Sequence, residues 1–162
     1  MKKRYNINTS VSLKENLITV IPKMYDEFIS YAEIVKNFPK RKTELHEMRK
    51  AGKPLRYAME LGEYCFNSEF SSALNDIKFS LDLMGDIHDI DVIIPILLNH
   101  LYEIRQFNKL LTDKEQMLST KQIRDYILHL RNERNLLFSK LCSLLSKWQE
   151  CDFRFKLIMM MK

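Results

Sequence analysis

Over residues 70–107 the chain keeps one helical phase: Leu74, Ile77, Leu81, Met84, Val92 and Pro95 fall on a common stripe that continues across Gly85. That continuity favours a single bent helix, with a break at Gly85 as the alternative. Composition agrees. Three glycines and four prolines in 162 residues leave few places to turn, Leu, Ile, Lys and Glu abound, and no segment alternates with the period of a strand. The expectation is an all-α fold, an antiparallel bundle of long kinked helices in one domain spanning residues 1–162, with residues 1–10 flexible. A chain of this length can bury about two thirds of its unfolded surface.

Four more helices follow from spacing and stop signals. Residues 12–37 carry Leu13, Leu17, Val20, Ile21, Met24, Phe28 and Tyr31 at helical intervals, with a bend at Pro22 and a stop at Pro39. Residues 41–66 contain Gly52 and Pro54, and the proline predicts a kink near Lys50. Residues 119–148 place Leu130, Leu137, Leu141, Leu144 and Trp148 on a core face. Residues 152–162 form a short amphipathic helix through Phe155, Leu157 and Ile158.

The helix over 41–66 is the one with a chemical signature. Lys42, His46, Arg49, Lys53 and Arg56 fall within an arc of roughly 80°. Lys50 and Tyr57 lie beside it. Leu45, Met48, Leu55 and Met59 occupy the adjoining face, so cations line the edge of an apolar seam, where partial desolvation strengthens their attraction for an anion. Spacing alone slightly favours a solvated basic face. In the helix over 119–148, Lys121, Arg124, Arg131 and Arg134 share a side. Arg134 falls close to the apolar face, and the plain alternative for it is an internal ion pair with Asp76, Asp89, Asp91 or Glu103.

Other chemistries find little support. The net charge of +5 permits nucleic acid, anionic membrane or phosphate partners without selecting among them. Cys65, Cys142 and Cys151 are odd in number, widely spaced and without a CxxC or Cys/His pattern, which predicts reduced core thiols. The N-terminal MKKRYNINTS lacks the following apolar run of a signal peptide, and Val92 to Leu98 is too short to span a bilayer, so a cytoplasmic location is expected. No glycine-rich phosphate loop or nucleophile elbow occurs. GDIHDIDV, residues 85–92, offers Asp86, His88, Asp89 and Asp91, yet further inward carboxylates for a hard metal are not identifiable. The His88-Asp89 pair is similar to that of the HD-type phosphohydrolases, which also need an upstream His and a distant Asp; His46 and Asp125 could be nominated. A metal-dependent phosphohydrolase using His46, His88 and Asp89 is therefore one alternative. RNA binding through the basic stripe is another, weakened by the want of an aromatic platform beyond Tyr57.

Two segments together resemble the CHAD domain, the conserved histidine alpha-helical domain. LHEMRKAGKPLRYAMEL is similar to that family's histidine-bearing helix, and GDIHDIDV to its second signature of a Gly, a basic-acidic pair and a Val. The resemblance implies one half of a CHAD-type double bundle whose basic groove binds inorganic polyphosphate, without catalysis and without a cofactor. Carried over by position, His46, Arg49, Lys53 and Arg56 would face phosphates with Lys50 assisting. His88 would match the basic member of the second motif, and Asp89 would orient a cation. Arg124, Arg131 and Arg134 join them by helical phase only. The family usually has two halves related by a pseudo-twofold, whereas this chain has one copy of each motif; a homodimer would supply the missing half. No triphosphatase-like segment of alternating glutamates is present, so no hydrolysis is expected.

Overall fold

The computed structural model describes residue 5 and residues 7–162, apart from the side chain of Lys114. Of the first ten residues, expected to be flexible, 1–4 and 6 lie outside the described residues. Tyr5 donates to Glu27 at 2.6 Å, and Asn8 exchanges hydrogen bonds with the Asn16 side chain. Six α-helices follow and no strand occurs among the described residues: α1 Leu13–Ile29, α2 Ala32–Asn37, α3 Lys42–Gly62, α4 Ser68–Leu110, α5 Lys121–Glu150 and α6 Phe153–Met160.

Local chemistry sets these limits. Ser12 and Glu15 form a reciprocal capping box at the start of α1. Asn67 caps α4 by accepting from the Phe70 amide at 3.0 Å. Asp152 turns the chain through a left-handed backbone, φ 46°, and accepts from the Phe155 amide to start α6. The helix expected over 12–37 is two helices, separated by a turn at Ser30 and Tyr31 where the Ser30 hydroxyl donates to the Glu27 carbonyl. The long helix across Gly85 is present as expected, and α3 continues through Pro54.

α1 packs on α3, α3 on α4 and α4 on α5, while α6 closes against α1, α4 and α5. Phe28, Met48, Leu55, Phe70, Leu74, Met84 and Leu141 are fully buried at the centre. The Trp148 ring lies 6.2 Å from Phe28 and 4.8 Å from Phe153, which joins the last helices to the first. Gly52 is what lets α3 approach. A Cβ there would stand 2.7 Å from Leu81 and 2.9 Å from Phe28. The three cysteines are free and half-buried, not fully in the core as expected.

Burial along α4 is uneven. From Phe70 to Asp91 its inner face is continuously buried; beyond Asp91 only Leu101 is. There α4 and the first half of α5 form an antiparallel hairpin, closed at its tip where the Asn108 side chain bonds both the amide and the carbonyl of Leu118. Among the described residues no helix is long and apolar enough to cross a membrane.

Candidate functional site at the α3–α4 seam

α3 and α4 lie antiparallel, and their register brings the two sequence motifs face to face. Lys42 meets Asp91, His46 meets His88, Arg49 lies over Gly85, and Glu60 meets Lys78. The imidazoles of His46 and His88 have centroids 5.3 Å apart. A Cβ on Gly85 would be 3.5 Å from Arg49 Nη2, an ordinary contact distance, so the guanidinium lies close over α4 at this glycine.

The seam contains buried nitrogens with no hydrogen-bond partner among the described residues, Nδ1 of His46 and Nε of Arg49. A desolvated polar group without a partner costs on the order of 1–3 kcal/mol, more when charged. Lys53 is exposed and makes no ion pair among the described residues. Lys50 pairs with Glu47 at 2.8 Å, and Lys50 in turn holds the Glu47 carboxyl below the usual range.

Arg56 and Lys78 share one carboxylate, Glu60, at 2.9 and 3.3 Å. The Arg56 hydrogen bond, with help from Lys78, keeps Glu60 below the usual carboxylate range against a smaller effect of burial. The Arg56 guanidinium carbon also lies 5.9 Å from the Tyr57 ring centroid. Lys78 is absent from the residues nominated by sequence, although it shares a stripe with Gly85 and His88 at intervals of seven and three residues.

The other end of the seam is an ionic clasp. Arg134 grips Asp91 with a two-pronged contact, Nε to Oδ1 at 2.8 Å and Nη2 to Oδ2 at 3.0 Å, and Nη2 also donates to the Pro39 carbonyl at 3.0 Å. Lys42 adds a 3.1 Å contact to Asp91 Oδ1. Burial alone would raise the Asp91 pKa, but hydrogen bonds from Arg134 and Lys42 outweigh it and hold the carboxyl low. Of the four acids named as partners for Arg134, Asp91 is the one that takes it. The cation-orienting role that the resemblance gives to Asp89 falls to Asp91 instead: Asp89 is exposed and makes no hydrogen bond or ion pair among the described residues.

His46, Arg49, Lys53, Arg56 and His88 are thus gathered along one seam, with Lys50 at its margin. Arg124 and Arg131 are exposed on α5 and make no ion pair among the described residues, while Arg134 is engaged in the clasp. His46 and His88 do come together, but among the described residues no group of three or more His, Cys, Asp or Glu side chains could hold a metal ion.

No curated protein and no solved structure matches this sequence. The CHAD domain matches residues 13–98, a span that holds both motifs, all of α3 and α4 as far as Leu98. The sequence, the all-helical bundle and the match over half of its length lead to one assignment: the chain belongs to the CHAD domain family.

Proposed function

We propose that the α3–α4 seam binds inorganic polyphosphate without catalysing a reaction on it. The observation that carries this reading is the pair of buried, unpartnered nitrogens, His46 Nδ1 and Arg49 Nε, beside His88 and the unpaired Lys53. A polyanion supplies acceptors to such nitrogens and neutralises cations held at the edge of a core. Family membership supports it as well, the CHAD domain being associated with polyphosphate binding.

In this reading Arg49 offers forked donors, Lys53 a point charge, and Arg56 joins once phosphate competes with Glu60. Arg124 and Arg131 extend the contact along α5, and Arg134 acts by positioning through Asp91. A cytoplasmic protein working on a free polyanion is part of the proposal. One chain supplies one such seam, and a homodimer would supply two.

The test is a polyphosphate titration over a series of salt concentrations. Affinity should fall steeply with salt through counterion release. Replacing Arg49, Lys53 and Arg56 together by Ala should lower it by orders of magnitude while circular dichroism stays helical. Unchanged affinity in that variant would reject the seam as the binding surface.

A further inference from the structure

Beyond the Asp91 clasp, the α4–α5 hairpin is pinned at both ends, by Arg134 on Asp91 and by Asn108 on Leu118, yet it has little core of its own. Leu101, Ile127 and Leu130 are the residues buried along it. α4 is nonetheless apolar nearly all round here, through Val92, Ile93, Ile94, Ile96, Leu97 and Leu98. A helix apolar on every side normally has neighbours on more than one side.

The spacing shows where the second neighbour belongs. Ile90, Ile94, Leu97, Leu101 and Ile104, buried or half-buried, step by alternating fours and threes, as an inter-helix seam does. A second seam runs beside it: Ile93, Leu97, His100, Ile104, Phe107 and the C-cap residue Leu111. Its outward members Ile93, His100 and Phe107 are exposed, and Ile96 stands next to them at 63 % exposure. On α5, Tyr126 and Leu136 are exposed as well.

We propose that a second copy of this chain seats its own α4–α5 hairpin on this seam, giving a four-helix bundle about a two-fold axis. The spacing selects that occupant. Steps of four, three, four, three and four read the same in both directions, so two antiparallel copies of α4 can pair Ile93 with the partner's Leu111 and Leu97 with the partner's Phe107. The area fits too. Taking ~200 Å² for a large apolar residue, the exposed fractions of Ile93, Ile96, Phe107, Tyr126 and Leu136 correspond to about 500 Å², the larger part of the ~800 Å² per partner of a standard interface. His129 with Glu133 offers a polar contact beside the seam, while His100, paired with Glu103, sits at its centre. The contact is independent of whether the α3–α4 seam binds polyphosphate.

Light scattering on the purified chain decides the matter. The expected mass is twice 19.4 kDa, and Ile96→Glu with Phe107→Glu should halve it without loss of helicity. A control, Leu61→Glu in α3, should leave the dimer intact, since Leu61 is exposed outside the hairpin. A single-chain mass for the unaltered protein at ~50 µM, far above a ~1 µM Kd, would overturn the proposal. So would a dimer that survives both substitutions. If the double variant unfolds, hydrogen exchange on the unaltered protein gives the answer: amides of residues 93–107 should gain protection as concentration rises, and protection independent of concentration would exclude this interface.

Discussion

His46 on α3 and His88 on α4 bring their rings to 5.3 Å although 42 positions separate them in the chain, so the candidate site belongs to the register between two helices and to neither helix alone. The same register carries Arg49 over Gly85 and Lys42 to Asp91. Whatever shifts one helix along the other dismantles all three contacts together.

Arg49 should show function set against stability. Its Nε is buried without a partner, so Arg49→Met removes an uncompensated donor while keeping much of the side-chain volume. Thermal stability is expected to stay within ~1 kcal/mol of the original or to rise, while polyphosphate affinity falls at least ~10-fold. Melting curves and titrations on one preparation check both.

Asp91→Asn should act in the opposite sense. It leaves Arg134, whose side chain is 13 % exposed, without its counter-charge, at a cost of about 3 kcal/mol near neutral pH. The folded-state pKa of Asp91 is lowered, so its stabilisation is complete above the unfolded carboxylate pKa of about 4 and is lost as pH falls through the lower folded value. Denaturant melts should therefore show a constant gap between the two proteins down to about pH 4 and a closing gap below it.

Glu60 restrains the site. Because it engages both Arg56 and Lys78, Glu60→Gln releases two cations at the seam. Polyphosphate should bind roughly threefold more tightly, the scale of one exposed ion pair. Weaker binding would mean that Glu60 positions Arg56 instead of competing for it.

The glycines should separate cleanly. Gly52→Ala drives a methyl into Leu81 and Phe28 and should cost ~1–3 kcal/mol. Gly85→Ala meets Arg49 only at ordinary contact distance, so it should fold normally. Any effect it has should appear in polyphosphate affinity, through displacement of the guanidinium.

The helices, the one-phase run across Gly85 and the basic arc of α3 were all legible in spacing, because an amphipathic helix writes its period into the sequence. The break at Ser30 was not, since neither a glycine nor a proline marks it. Nor could spacing choose among four acids for Arg134, or see that Glu60, the i,i+4 partner of Arg56 within α3, would also meet Lys78 across the seam. Those pairings follow from inter-helix register, which the packing of residues such as Gly52 on Leu81 sets and which no single helix encodes.

The ring cluster that joins α1 to the last two helices carries a consequence for the order of folding. Tyr25 and Phe28 reach Trp148, and Asp26 reaches Arg154 across 128 positions, whereas the α3–α4 seam closes over a few tens of residues. Short-range closure is the faster event because less chain entropy is lost. We expect the binding face to assemble before the core beneath it is sealed. Trp148 is the single tryptophan, so its fluorescence times the sealing alone. In stopped-flow refolding, far-ultraviolet ellipticity should lead that signal; coincident traces would mean that the whole bundle forms in one step.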